Sequence, residues 1–312
     1  MKKVCWLSLL CFLQLACNRV TDTQPTPADT VPASAIQALT DQYPGAADMV
    51  FKTLEKGRVW QVNFTQKSAR YNAATSLQKL LIAYQLATQS VPDSLASLVR
   101  NTVLDGGTFT NLSVQNYSWF RDGSNNGQFI LADYDWQGNR YTFRWNVTSL
   151  NGRITYTTEL LPGNQLEFRT DSLLDLPLAI QQSLTAQGAV FSYALVTVDA
   201  QGKKQYAIMV QQNAGYYNLT YDENGQLLAA SGSANAQYYS FINQLPASIQ
   251  TYLSQTPELA GFTNVGQFSL LSKSQYAGLT TYTVNLQKGR QTWFMTFSEQ
   301  GQLVRRTYLN LV

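Results

Sequence analysis

The chain has 312 residues, of which 45% are hydrophobic, so it has apolar material for a sizeable core and is not a wholly disordered chain. Only 13% of the residues are charged, the formal net charge is +3, and no cluster of lysine and arginine predicts a nucleic-acid-binding surface. The absence of histidine excludes Ser/His and Cys/His catalysis and the ligation of metals by imidazole.

Residues 1–17 have the organisation of an export signal. Two lysines precede an apolar run over residues 4–16, which is too short to cross a bilayer and has the length of a signal-peptide core. The end of this run, LQLAC at residues 13–17, resembles the lipobox of bacterial lipoproteins, in which the cysteine is lipidated and becomes the first residue of the mature chain. We therefore predict a lipoprotein signal peptide with lipidation at Cys17. Ordinary cleavage after Ala16 is the alternative.

Cysteine usage and the next segment agree with an anchor. Cys5 and Cys11 lie in the signal peptide, so the mature chain would keep only Cys17, which permits no internal disulfide and favours a lipid anchor. Residues 18–30 are rich in Pro and Thr, which predicts a flexible tether on the order of 20 Å long. Asn18 stands where an aspartate is associated with inner-membrane retention. We expect a cell-envelope protein anchored in the outer membrane, facing the periplasm or the cell surface.

Four similar segments follow, and each begins with an apolar residue and a proline. Proline at the first helical turn has no hydrogen bond to lose, and apolar residues at spacings of three and four then give a helix with one core-facing stripe. We predict a short amphipathic helix after each pair. The pairs are Val31-Pro32, Val91-Pro92, Leu176-Pro177 and Leu245-Pro246.

Three of these segments contain a glycine turn between alternating apolar and polar residues. Asn-Gly in such a context is a strong hairpin signal, because both turn residues favour positive φ. The turns are at Asn151-Gly152, Asn224-Gly225 and Gln300-Gly301. Apolar residues that should share one strand face are Trp60, Val62 and Phe64; Tyr141, Phe143, Trp145 and Val147; Tyr206, Ile208 and Val210; Tyr217, Leu219 and Tyr221; Tyr282, Val284 and Leu286; and Trp293, Met295 and Phe297.

These patterns predict an α+β fold of about four units, each a helix followed by its own antiparallel sheet of three or four strands. We place two units in a domain of residues 31–170 and two in a domain of residues 171–312. The first unit lacks a clear glycine turn, and residues 77–86 look helical. In each unit the helix would cover the apolar face of the sheet and leave the other face polar.

Five motifs resemble the PepSY-like family, also called β-lactamase-inhibitor-like. Its pattern is a helix, an aromatic-Pro-Gly-Ala turn, an aromatic or aliphatic strand, and a final strand ending in Asp/Glu-x-Gly-x-Leu. The motifs are YPGA at 43–46, LEKG at 54–57, WQVNF at 60–64, YDENGQL at 221–227 and FSEQGQL at 297–303. The resemblance covers most of the chain after the tether. It implies repeated helix-plus-antiparallel-sheet units in an exported, non-catalytic module, with a sheet surface available for binding.

Few residues could support catalysis. Ser76 and Lys79 match the S-x-x-K pattern of serine β-lactamases, but the chain has no K-[ST]-G partner motif. Asp133 and Asp135 are spaced to face one substrate from a strand, as in a glycosidase, and residues 122–133 mimic a calcium loop. An exposed helix face, solvated acids and a polar hairpin loop explain these three motifs more simply. We therefore predict that the protein is not an enzyme and has no catalytic residue, no cofactor and no metal site.

Aromatic residues outside the predicted core faces are the candidate binding surface. On a surface of low charge, exposed rings suit a protein interface or stacking against sugars. The alternative for each ring is a small hydrophobic cluster beneath a loop. The candidates are Trp119, Phe120, Tyr134, Trp136, Tyr216, Tyr238 and Tyr239.

We therefore expect a non-catalytic cell-envelope lipoprotein. Its predicted partners are the membrane, through the lipid at Cys17, and another envelope or secreted protein, which it would bind through an exposed sheet face and could inhibit. A carbohydrate-binding or glycan-associated surface lipoprotein is the alternative. We expect no nucleic-acid partner.

Overall fold

A computed structural model of the protein describes residues 31–118, 126–150, 153–213, 215–232 and 236–311. Over these residues the chain forms four short α-helices and eighteen β-strands.

The four helices begin directly after the four predicted prolines, which confirms that part of the sequence analysis. They are α1 (Ala33–Gln42), α2 (Asp93–Ala96), α3 (Leu178–Ala186) and α4 (Ala247–Gln255). The prolines have φ between −52° and −59°, the range that their ring imposes and that suits a helix start. In the described ranges, no helix is both long enough and apolar enough to span a membrane.

The strands are mostly joined by short turns. They are β1 (Ala47–Glu55), β2 (Val59–Gln66), β3 (Ala69–Ser76), β4 (Leu80–Leu86), β5 (Thr108–Ser118), β6 (Asn126–Trp136), β7 (Asn139–Leu150), β8 (Arg153–Pro162), β9 (Asn164–Thr170), β10 (Val190–Asp199), β11 (Lys204–Gln212), β12 (Gly215–Asp222), β13 (Leu227–Gly232), β14 (Gln237–Tyr238), β15 (Leu270–Tyr276), β16 (Leu279–Lys288), β17 (Gln291–Ser298) and β18 (Leu303–Leu311).

The strands form two antiparallel sheets. The large sheet has thirteen strands in the order β1-β2-β3-β4-β5-β6-β7-β8-β18-β17-β16-β15-β14, and the second sheet has five in the order β13-β12-β11-β10-β9. Strands β8 and β18 are far apart in the chain but pair antiparallel, with Leu160 opposite Tyr308. This pairing joins the two halves of the chain in one sheet.

The predicted α+β fold of separate helix-plus-sheet units is wrong. The protein is mostly β, and strands from all four predicted segments join one thirteen-stranded sheet. The unpaired backbone groups at the edge of a strand can pair with any neighbouring edge, and β8 and β18 complete each other in this way. The boundary placed between residues 170 and 171 falls at the end of β9 and remains a prediction.

The helix expected within residues 77–86 is also wrong, because this segment forms β4. Leu80 and Ala83 pack against the core beneath α1, whereas Leu81, Ile82 and Tyr84 belong to the core of the second sheet. A strand buried on both faces has a continuous apolar run, which periodicity alone cannot distinguish from a buried helix.

Three hydrophobic cores lie beneath the helices, one under α2 and α4, one under α3 and one under α1. The predicted apolar strand faces supply most of their side chains, and Trp145, Trp293 and Tyr221 are at most 1% exposed. The edge strands of the second sheet contact opposite halves of the large sheet, with β9 against β3 and β4, and β13 against β15, β16 and β17. The second sheet therefore bridges the large one.

Two turn glycines pack against the starts of helices. Gly225 and Gly301 have φ of +80° and +78°, and a Cβ on them would lie 2.7 Å from the Cβ of Ala179 and 2.1 Å from the Oγ of Ser248, respectively. Glycine is needed at both turns for its backbone conformation and for the close approach of the helix. This contact gives a physical reason for the glycine in the Asp/Glu-x-Gly-x-Leu motif.

Candidate functional site

Two of the predicted binding residues, Tyr216 and Tyr238, line one groove between the two sheets. The groove has a volume of about 340 Å³. We call it the tyrosine groove and define it by the residues that line it. These are Tyr216, Asn218, Ser231 and Gly232 of the second sheet, Tyr238, Leu270, Ser272, Ser274 and Thr283 of the large sheet, and Ala236.

Strand geometry holds both tyrosine rings outside the cores. Successive side chains of a strand point to opposite faces. In β12, Tyr217 points into the core and is 4% exposed, so Tyr216 points outward and is 57% exposed. Tyr238 lies on the two-residue strand β14 and is 60% exposed. The groove therefore presents one exposed ring from each sheet.

Short hydroxyl side chains from the large sheet line the groove between these rings. Ser272 stands opposite Tyr238 on β14 and opposite Thr283 on β16, so the three side chains form a row on one face of the sheet. Ser272 and Ser274 are 4% and 5% exposed. No residue that lines the tyrosine groove is charged, among those that the structure describes.

The tyrosine groove lies where both sheets end. Strand β13 is an edge strand of the second sheet, and β14 is an edge strand of the large sheet. The amide of Ala230 in β13 donates a 3.1 Å hydrogen bond to Oγ1 of Thr281, which fixes this edge against β16. Edge strands carry backbone groups that an added chain can pair with. The groove therefore offers side chains and a nearby sheet edge to a ligand.

The other predicted aromatic residues do not join this groove. Tyr134 and Trp136 are 1% and 4% exposed, so they belong to the core beneath α2 and not to an exposed surface. The Tyr134 hydroxyl donates to the carbonyl of Leu104 and accepts a 2.9 Å hydrogen bond from the amide of Gly107. Burial raises its pKa above the usual value for tyrosine. Tyr239 is half-buried and packs against the same core.

Some of the predicted functional residues lie outside the described ranges. Trp119 and Phe120 are in the segment between residues 118 and 126, as is the start of the calcium-like motif. The lipidation site Cys17 and the tether precede the first described residue.

The catalytic motifs considered in the sequence have structural roles. Ser76 closes the β3–β4 turn, where its Oγ accepts hydrogen bonds of 3.3 Å from the amides of Gln78 and Lys79, and Lys79 pairs with Asp171. The motif is therefore not on a helix face. In the described part of the chain, no group of three or more Asp, Glu, Cys or His residues could hold a metal ion.

The two aspartates of β6 also have protein partners. Asp135 accepts hydrogen bonds of 2.9 and 3.0 Å from Arg140, and the adjacent guanidinium lowers the pKa of this carboxyl. Asp133 accepts a 2.7 Å hydrogen bond from Asn111. Both carboxylates are thus engaged on the surface of the sheet.

Two exposed apolar side chains near Tyr238 were missed by the sequence analysis. Phe241 is 65% exposed and Val265 is 78% exposed. A 2.7 Å hydrogen bond from Asn264 to the carbonyl of Ser240 holds their two loops together. The signal in the sequence was an aromatic and an aliphatic residue in polar loops, outside any alternating pattern. Together with Tyr238 they extend the apolar surface beyond the groove.

Comparison with known proteins identifies no function. No protein-family model matches the chain, and no curated protein matches it. A solved structure from Bacteroides vulgatus, whose description proposes a periplasmic location and gives its function as unknown, is 14% identical over 45% of this chain and 98% of that chain, with a TM-score of 0.21. A TM-score this low does not define a shared fold. The resemblance to the PepSY-like family stays a prediction.

Proposed function

We propose that the protein is a non-catalytic binding lipoprotein of the cell envelope, which holds an extended segment of another envelope or secreted protein in the tyrosine groove. The observation that carries the proposal is that Tyr216 and Tyr238, from two different sheets, flank one groove with an uncharged polar lining.

The composition of the groove favours a polypeptide ligand. Tyrosine supplies a large contact area at a low entropic cost, and Ser, Gly and Asn supply adaptable hydrogen bonds, which is the combination that antibody paratopes use. Two tyrosines, three serines, a glycine and an asparagine line the tyrosine groove. The exposed Phe241 and Val265 would add apolar contacts beside it.

The position of the groove favours an extended ligand. A peptide that adds to a sheet edge gains main-chain hydrogen bonds, while its alternate side chains enter neighbouring pockets. Strand β14 is such an edge, and Tyr238 projects from it beside the groove. Inhibition of an enzyme would follow if the bound segment belonged to its active site.

A neutral glycan is the second candidate ligand. The hydroxyls of Ser272, Ser274 and Thr283 and the amide of Asn218 lie between two exposed rings, and this arrangement can stack a sugar and bind its hydroxyl groups. The exposed aliphatic side chain of Val265 can contact an apolar side chain of a peptide but offers nothing to the hydroxyl groups of a sugar, so the polypeptide ligand is the better explanation.

The experiment compares what the groove retains from the envelope. The chain from residue 18 onward is immobilised as the wild type, as the double variant Tyr216→Ala/Tyr238→Ala, and as the control Leu178→Ala/Val190→Ala. Leu178 and Val190 are 57% and 64% exposed and lie outside the groove. Each form receives the same detergent-solubilised envelope extract and culture supernatant, and the retained proteins are quantified by mass spectrometry.

We expect a protein that the wild type and the control retain and that the tyrosine double variant loses. Equal retention by all three forms would contradict the role of the groove. A parallel glycan array addresses the second candidate: a neutral glycan bound by the wild type and lost by the tyrosine variant, with no groove-dependent protein, would replace the polypeptide proposal.

Membrane attachment through Cys17 has its own test. Its support is the LQLAC motif and the absence of any other cysteine from the mature chain. In source cells fed a labelled fatty acid, the full-length wild type should carry the label and sediment with the outer membrane. The Cys17→Ala variant should carry none, and a labelled variant would disprove the assignment.

A further inference from the structure

A second site lies in a crevice between the two sheets, at the other end of β13 from the tyrosine groove. Leu228 of β13 lines the crevice, whereas Ser231 and Gly232 of the same strand line the groove. The crevice consists of two adjoining cavities of about 250 and 190 Å³. Their shared lining residues are Leu161, Glu167, Leu195 and Arg305.

The crevice contains an ion-pair cluster in which Arg144 binds the carboxylates of Glu159 and Glu167. Its Nη1 lies 2.6 Å from Oε1 of Glu167, and its Nε donates a 3.1 Å hydrogen bond to Oε2 of Glu159. The side chains are only 17%, 11% and 23% exposed for Arg144, Glu167 and Glu159. Both carboxylates are therefore already paired with a cation inside the protein.

Arg305 is left without a carboxylate of its own. It lines both cavities and is mostly buried, yet its side chain has no hydrogen bond or ion pair with any residue that the structure describes. Burial lowers the pKa of its guanidinium, and the negative charges of Glu167 and Glu159 offset part of this effect. None of the Arg305 nitrogens is among the buried, unpaired side-chain atoms of the described residues, so its N–H donors are open to the cavities and can reach an acceptor on a ligand.

Apolar side chains line part of the larger cavity beside Arg305. Leu161, Leu195, Leu228 and Val304 form much of the wall of the larger cavity. Asp199 and Asp222 also line it, and each has an oxygen that accepts backbone hydrogen bonds of 2.8 and 2.9 Å in its own turn. Two lysines complete the charged lining: Lys203, and Lys204, which pairs with Glu55. The space beside Arg305 therefore suits an apolar body that carries one acceptor group.

We propose that this crevice binds a small amphipathic monocarboxylate, with its carboxylate on Arg305 and its apolar body against the leucines and Val304. A carboxylate matches the planar fork of a guanidinium through two parallel hydrogen bonds. In the smaller cavity Glu159 and Glu167 balance the charges of Arg144 and Arg305, so there is no excess positive charge that would favour a dianion such as a phosphate monoester. This site goes beyond the proposed function, because it shares no lining residue with the tyrosine groove.

The test uses three probes with the same alkyl tail and different head groups: octanoate, 1-octanol and octyl phosphate. Isothermal titration calorimetry measures their binding to the wild-type chain from residue 18 onward. We expect octanoate to bind and the other two probes to bind more weakly, by roughly tenfold or more, the usual effect of losing a charge-assisted hydrogen bond. Octanol or octyl phosphate binding as tightly as octanoate would overturn the proposal, as would no binding of octanoate.

Variants then locate the site. Arg305→Gln should weaken octanoate binding by roughly tenfold to a hundredfold, and Arg305→Lys should retain part of the affinity, since it keeps the charge but loses the fork. The control Arg140→Gln removes an exposed, ion-paired arginine and should bind octanoate like the wild type. Unchanged affinity in Arg305→Gln would refute the assignment. The variant Tyr216→Ala/Tyr238→Ala should also bind octanoate normally, which separates this test from that of the groove.

Discussion

The replacement Arg144→Met tests whether the ion-pair cluster of Arg144, Glu159 and Glu167 stabilises the fold. The substitution keeps an apolar stem of similar length and leaves Glu159 and Glu167 without a hydrogen-bonded cation. At an effective dielectric constant of about 20, an ion pair at 4 Å separation gains about 4 kcal/mol of Coulomb energy, and desolvation offsets part of that gain. Removing one partner of a buried pair usually costs about 3–5 kcal/mol, because the remaining charge is left uncompensated. We expect a loss of this size.

The assay is denaturant unfolding of the wild type and the variant, followed by tryptophan fluorescence and by circular dichroism. A control is Arg140→Met, which breaks a solvent-exposed pair with Asp135 and should leave the unfolding midpoint unchanged. The variant Arg144→Met/Glu159→Gln/Glu167→Gln removes all three charges and should recover most of the lost stability. If Arg144→Met unfolds at the wild-type midpoint, or if the triple variant recovers nothing, an uncompensated charge is not the cause.

Two further predictions concern the turns and the buried hydroxyls. Gly301→Ala places a Cβ 2.1 Å from Oγ of Ser248 at a φ of +78° and should cost about 2–4 kcal/mol from backbone strain and overpacking. The control Gly278→Ala has a φ of +81° and no atom of the described residues within 4 Å of the new Cβ, so it should cost only about 1–2 kcal/mol. Equal losses in denaturant unfolding would disprove the helix contact. Among the described residues, none provides a hydrogen-bond partner for the buried hydroxyl of Tyr276, and burial raises its pKa to about 12. The stability that depends on its neutral form is therefore present below pH 10 and is lost as the pH rises towards 12. Tyr276→Phe should unfold at no lower a midpoint than the wild type at pH 7 and should lose less stability between pH 10 and 12; an equally steep loss would show that another group titrates there.

The local structure could be predicted because its signals lie within a few residues. Proline fixes φ at a helix start, and a period of two places Trp293, Met295 and Phe297 on one buried face. The same rule, applied strictly, would have corrected Tyr134 and Trp136. Asp133 and Asp135 alternate with them along β6. The register of β6 and β7 places Tyr134 opposite Tyr141, on the sheet face that packs against the core beneath α2. The error lay in placing these two rings outside the predicted core faces.

The architecture could not be predicted because strand pairing is made by the backbone. Any antiparallel edge can accept β18, and nothing in the side chains of Thr157 or Leu160 specifies that Leu311 and Tyr308 lie opposite them. The tyrosine groove depends on the same long-range arrangement. Tyr216 and Tyr238 could each be identified as an exposed ring from the local pattern, but their approach depends on the packing of β13 across β15 and β16.

Both candidate sites arise from the way in which the two sheets meet. Strand β4 shares the apolar core of the second sheet, whereas β13 also meets the large sheet through polar side chains and strand edges. Such contacts pack less completely than hydrocarbon side chains. Where β13 crosses the large sheet, the two sheets are in direct contact, because the amide of Ala230 in β13 donates a hydrogen bond to Thr281 of β16. Beyond each end of that crossing a cavity is left, lined by tyrosines and hydroxyls on one side and by Arg305 and leucines on the other. An uncharged cavity and one lined by charged side chains of both signs lie at the two ends of a single strand. We therefore expect the two sites to favour different ligands and to be disrupted independently.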